Sequence, residues 1–95
     1  MYLLPLQVGA ALTGTATLEV PTGIFGGALI TADGTNSATV TIREEDGSGR
    51  IIFDVDTTSS MPAFAPFKIR GNTIHYTISG TGASAKLYAW HSKRV

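Results

Sequence analysis

Ninety-five residues leave room for one domain, and a chain of this size buries only about 60–65% of the surface that its unfolded form exposes. It has no cysteine, so neither a disulfide framework nor a thiolate metal site supplements that core. Hydrophobic residues make up 43% and charged residues 15%, which excludes a disordered chain, and a formal net charge of zero gives no reason to expect nucleic-acid binding through a basic field.

The charges are unevenly placed. All seven acids (Glu19, Asp33, Glu44, Glu45, Asp46, Asp54, Asp56) stand in residues 1–56 with only two bases, Arg43 and Arg50, a net −5. Residues 57–95 hold Lys68, Arg70, Lys86, Lys93 and Arg94 and no acid, a net +5. Either the halves interleave and neutralise each other, or acidic loops meet the basic end of a neighbouring copy, which adds docking specificity. So low a charged fraction in a small chain also implies surface meant for other subunits.

In chain order, MYLLPLQVGAAL (1–12) is apolar with little alternation. It falls short of the roughly 18 apolar residues that span a membrane. It lacks a basic start and is interrupted by Pro5, so no cleaved signal peptide is expected. Pro5 withholds a ladder hydrogen bond, which fits an extended arm or an edge strand. From Thr13 the period becomes two: Ala16, Leu18 and Val20 face one way, Thr15, Thr17 and Glu19 the other. Pro21-Thr22-Gly23 ends that strand, and Gly26-Gly27 after Ile24-Phe25 marks a bend.

Ala28 to Val55 is the most regular stretch, three strands joined by ADGTNS and EEDGSG. Ala38, Val40 and Ile42 form one buried stripe, and Ile51, Phe53 and Val55 form another against Ile52, Asp54 and Asp56. Five acids of this stretch (Asp33, Glu44, Glu45, Asp46, Asp54) are expected outside the buried stripe. TTSSMPAFAPF (57–67) reads as an irregular connection, because Pro62 and Pro66 exclude a central strand. Its Met61, Phe64 and Phe67 are expected across the end of the core. Phe67 and Ile69 alternate with Lys68 and Arg70 before a Gly71-Asn72 turn. Ile74, Tyr76 and Ile78 alternate with Thr73, His75 and Thr77. SGTGAS (79–84) reads as a hairpin loop leading to a last strand, Ala85 to His91. No segment has a helical period with caps. The fold class expected is all-β: an antiparallel β-sandwich, jelly-roll-like, of seven to eight short strands over residues 13–95, with 1–12 as arm or edge strand.

Residue chemistry proposes no reaction. Gly80 and Gly82 imitate half of a dinucleotide fingerprint, but no helix follows to receive a pyrophosphate. Glu44, Glu45 and Asp46, with Asp54 and Asp56, could gather oxygen ligands for calcium, yet the spacing is not that of an EF-hand loop, and a solvated hairpin end explains them as well. His75 and His91 have no second ligand at zinc spacing, and no serine sits in a nucleophile elbow. No enzyme activity, cofactor or metal is therefore expected. In the last strand, an inner face of Ala85, Leu87 and Ala89 puts Lys86, Tyr88 and Trp90 outside. Outward Tyr and Trp point to a subunit contact or a sugar-stacking platform; in the opposite register Trp90 would be core. The candidate interface residues are Tyr2, Leu3, Leu4, Leu6, Tyr88, Trp90 and His91, at the two chain ends, with the central strands as scaffold.

The Gly-bracketed strand before Thr35–Ile42, the turn Asp46–Gly49 and the segment Gly71–Gly82 together resemble the layout of small tailed-phage virion β-sandwich proteins, over residues 13–90. Within that group the chain most resembles capsid decoration, or cement, proteins. The resemblance implies a structural protein on the outer surface of the capsid, made in the host cytoplasm. Its partners would be other copies, as a homotrimer, and the major capsid protein, with no nucleic acid and no membrane. A neck, tail or baseplate accessory is the alternative within the virion, and a host glycan-binding module the alternative outside it. The run 1–12 is more apolar than the layout requires, which implies an arm that docks on the shell or on a neighbour.

Overall fold

Strands with one apolar face need a second layer to cover it. In the computed structural model they form two sheets. It describes the backbone of residues 2–20 and 23–93, and the side chains among these except at 2–11, 65–66 and 90–93. The strands are β1 (Tyr2–Leu12), β2 (Gly14–Glu19), β3 (Ile24–Thr31), β4 (Ala38–Glu44), β5 (Ile51–Thr57), β6 (Met61–Lys68), β7 (Thr73–Ser79) and β8 (Ser84–Lys93). Sheet 1 has the order β1-β8-β3-β6 and sheet 2 the order β2-β7-β4-β5, with every neighbour antiparallel. First pairs with last, second with seventh, third with sixth and fourth with fifth. That nesting is one long hairpin rolled up so that successive pairs fall in opposite sheets, the jelly-roll arrangement. The all-β sandwich expected from the sequence is the fold observed.

Only the β4–β5 connection stays within one sheet. ADGTNS and SGTGAS therefore cross between sheets, and SGTGAS is not the hairpin loop its residues imply. The first crossing is shaped locally. Asp33 Oδ1 accepts the backbone N–H groups of Thr35 at 2.8 Å and Asn36 at 2.7 Å, and Asp33 Oδ2 accepts Asn36 Nδ2 at 2.7 Å. These bonds hold the Asp33 carboxyl below its usual range, the Asn36 N–H being the largest cause.

The core lies between the sheets. Sheet 1 contributes Phe25, Ala28, Ile30, Ala85, Leu87 and Ala89; sheet 2 contributes Ala38, Val40, Ile42, Ile74, Tyr76 and Ile78. The inward register of β8 is thus settled at Ala85, Leu87 and Ala89. Phe25 meets Phe53 edge-on across the sheets at 5.6 Å between ring centres. Each fully enclosed large side chain, such as Phe25, Ile42, Ile74 or Leu87, stabilises the fold by about 1.5–3 kcal/mol.

The edge strands depart from the expected pattern. In β5, Ile42 pairs with Phe53 but Arg43 with Ile51, so Ile52 is an extra, bulged residue. The bulge turns Ile52 onto the core in place of Ile51, which is 44% exposed. The segment expected to be irregular is β6, paired with β3 at the edge of sheet 1, where its prolines are tolerated because an edge strand has one neighbour to satisfy. The Ser60 hydroxyl seats its start by accepting Ala32 N–H at 3.0 Å and donating to Ala32 O at 3.1 Å. Phe67 packs on the core, but Met61 and Phe64 do not cap it. They are 39% and 46% exposed, Phe64 because it points to the outer face of sheet 1. Ala16 in β2 is exposed as well, since a single methyl group at the sheet rim does not reach the opposite layer.

Candidate functional site

The roll brings the two chain ends together. β1 and β8 are neighbours, and the register sets Tyr2 opposite Lys93, Leu3 opposite Ser92, Leu4 opposite His91, Pro5 opposite Trp90, Leu6 opposite Ala89 and Gln7 opposite Tyr88. All seven candidate interface residues therefore stand on two adjacent strands. Among the described residues β8 pairs with β3 from Ser84 to Ala89, and Trp90 to Lys93 continue past it, paired there with Tyr2 to Pro5 alone. The result is a two-stranded ribbon that extends one edge of sheet 1. The side chains of Tyr2, Leu3, Leu4, Leu6, Trp90 and His91 lie outside the described residues; that of Tyr88 is described and half-buried.

Tyr88 belongs to an aromatic contact that sequence reasoning missed. Gly27 pairs with Tyr88 on one side and with Phe64 on the other, so all three share the outer face. With no side chain on Gly27, the two rings meet above β3 at 5.5 Å between centres and 67° between planes. The bend expected at Gly26-Gly27 is a bulge, with register shifts against both β6 and β8. Gly27 has φ +117°, and a Cβ there would collide with the carbonyl oxygen of Ala63. Glycine is required at this position twice over, by conformation and by space. Half-exposed Phe64 beside Tyr88 gives sheet 1 an aromatic patch on its solvent side. The only signal in the sequence was the glycine pair, and it carried no pointer to the two rings that meet over it.

A second feature lies at the β4–β5 turn, where a cleft of about 350 Å³ is lined by Glu44, Glu45, Asp46, Arg50 and Arg70 among others. Glu44 was expected outside the buried stripe, but only 7% of it is exposed. Its Oε1 accepts Arg50 Nε at 2.9 Å and its Oε2 accepts the backbone N–H of Arg70 at 2.7 Å. The Arg70 N–H first, and then the positive charge of Arg50, hold the Glu44 carboxyl below its ordinary value against the opposing effect of burial. Arg50 also lies over the Phe67 ring at 5.3 Å, joining the turn to β6. Arg70 Nε stands 4.0 Å from Glu45 Oε1, so at this point acids of the first half meet bases of the second within one chain. Glu45 itself adopts φ 67° and donates its N–H to Thr73 O at 2.9 Å.

This cleft is a brace between two turns. Both Glu44 oxygens are committed, and Asp46 Oδ1 is taken by Ser48 N–H at 2.9 Å. Asp54 faces Thr41 Oγ1 at 3.3 Å on β5, apart from the turn acids. Among the described residues no three histidine or acidic side chains converge on a point that could hold a metal ion. His75 is half-buried on β7, opposite Thr17 and Arg43. No helix among the described residues is long and apolar enough to cross a membrane. Compared with known proteins, the chain matches no family model and no curated sequence at a significant level.

Proposed function

We propose that this chain is a non-enzymatic structural protein of a phage particle that binds the outside of the capsid as a decoration, or cement, protein and reinforces contacts between capsid subunits. The observation that carries the reading is the ribbon of Tyr2 to Pro5 with Trp90 to Lys93. A two-stranded ribbon is marginal by itself in water. One composed of Tyr, Leu, Leu and Pro beside Trp and His gains by lying against a neighbouring surface. The jelly roll supports the reading at the level of class, since viral capsid domains share it; so do lectins, which is why the ribbon and not the fold is the argument.

The mechanism is avidity. An oligomer that straddles several capsid subunits makes several modest contacts, and once one forms the others become effectively intramolecular. Apolar surface buried at roughly 25 cal/mol per Å² then opposes separation of the subunits, less the cost of ordering the ribbon. The partners are the major capsid protein and further copies of this chain, and no cofactor takes part. Electron microscopy of particles carrying a label on this chain tests the proposal. Label over the whole shell supports it. Label at one vertex or along the tail replaces it with a neck, tail or baseplate accessory.

The exposed Phe64 beside Tyr88 favours a second reading, a host glycan stacked on the aromatic patch. A glycan array with Phe64→Ala and Trp90→Ala as controls decides this; binding lost in either variant supports a sugar site, and no binding by the wild type retires it.

A further inference from the structure

Among the described residues four strands end the two sheets, and an edge strand leaves the backbone N–H and C=O groups of alternate residues outside the ladder. Three of these edges are guarded. β1 contains Pro5 and shifts register against β8 between Gln7 and Gly9 and again between Gly9 and Leu12. β6 contains Pro62 and Pro66 and shifts register against β3. β5 carries Asp54 at mid-strand, Asp56 one residue before its end, and the bulged Ile52. Prolines, bulges and mid-strand charges are the devices by which edges avoid pairing with another chain.

β2 has none of them. Gly14 to Glu19 pairs with β7 in unbroken register, the single charge is the terminal Glu19, and Thr15, Ala16 and Thr17 are exposed. We propose that β2 is an interaction edge that pairs antiparallel with β2 of a second copy of this chain, joining their second sheets into one. The inference stands on the edges alone and does not rest on the particle reading.

The strand is self-complementary. A twofold axis at Ala16 sets Ala16 against the partner's Ala16, Thr15 against the partner's Thr17 and Gly14 against the partner's Leu18. Threonine pairs are favourable cross-strand neighbours, and Glu19 falls opposite the partner's Thr13, so no like charges meet. The pairing also flanks Ala16, the inner-face residue that its own chain leaves open. The same operation on β5 about Val55 would set Asp54 against the partner's Asp56. An isologous contact closes at two copies, so it builds a dimer in place of the trimer that the family resemblance implies. One six-residue strand per copy is a smaller contact than the roughly 1,000 Å² of a stable interface, so the dimer is reversible and grows with concentration.

Sedimentation of the full chain over a wide concentration range tests this. The wild type should pass from monomer to dimer. Thr15→Lys with Thr17→Lys sets lysines against each other twice, and should weaken association about tenfold or more. Thr15→Glu with Thr17→Glu should do the same, while an equimolar mixture of the two variants should recover the dimer. Both positions are exposed, and circular dichroism checks that the fold is kept. Ala16→Cys, the only thiol in the chain, should form a disulfide-linked dimer on mild oxidation. A wild type that stays monomeric, an oligomer indifferent to the lysines, or a mixture that fails to associate would overturn the proposal.

Discussion

At the residue scale, Glu44 and Gly27 are the positions on which most depends. Glu44 titrates below its unfolded value of about 4.5 because an N–H and a guanidinium favour its charged form. Its contribution is therefore complete above that pH and is lost as pH falls through the lower, folded-state value. Denaturant midpoints followed from neutral pH downward should decline through this acid range. Glu44→Gln should flatten the decline and lower the neutral-pH midpoint, because Arg50 and the Arg70 N–H lose a charged acceptor. A residual slope remains from Asp33, whose carboxyl is also held low, chiefly by the Asn36 N–H. Gly27→Ala introduces both strain and a collision with the Ala63 carbonyl, and should cost about 3 kcal/mol or more. Gly34→Ala is the control: φ there is +90° with nothing within 4 Å of the added carbon, so only the strain of about 1–2 kcal/mol should appear. Equal losses at the two sites would mean that β3 and β6 part easily at Gly27.

At the element scale, what the roll arranges is the outer face of sheet 1. Phe64 and Tyr88 lie on strands that are not neighbours, and they touch because β3 offers only Gly27 between them. A double-mutant cycle with Phe64→Leu and Tyr88→Leu should give a coupling of about 0.5–1.5 kcal/mol in unfolding free energy, and additive losses would mean that the rings do not interact. Legibility follows the same division into inner and edge strands. β4, β7 and β8 have a neighbour on each side and the opposite layer beneath. Every second residue (Ala38, Val40, Ile42; Ile74, Tyr76, Ile78; Ala85, Leu87, Ala89) must then be apolar, and the sequence says so. An edge strand meets fewer demands. It tolerates two prolines in β6, a bulge at Ile52 and an uncovered Ala16, so alternation there misplaces Ile51 and hides β6. Turn residues announce a bend and nothing further. Asp33 fixes its own loop, but whether the chain returns to the same sheet depends on strands far along the sequence. The burial of Glu44 was equally hidden, because it needs the N–H of Arg70, 26 residues away.

At the scale of the whole molecule, the joining of first and last strands separates folding from docking. Among the described residues β1 is an edge strand that pairs with β8 alone, and residues 2–6 stand opposite residues 89–93 in that register. β8 keeps its pairing with β3 from Ser84 to Ala89, and its core residues Ala85, Leu87 and Ala89 stay enclosed by β3 and the opposite sheet. Deleting residues 2–6 should therefore leave a sandwich that unfolds cooperatively at a modestly lower temperature. If the ribbon is the docking element, the same deletion should abolish occupancy on the particle, since every copy loses its contact and avidity multiplies the loss. Two measurements on one truncated protein read the two effects apart: calorimetric unfolding for the sandwich, and the amount of chain retained on purified capsids for the docking. Normal occupancy after deletion would place binding elsewhere, with the aromatic patch of Phe64 and Tyr88 the next surface to alter. Loss of the cooperative transition would instead make the ribbon part of what holds the two sheets together.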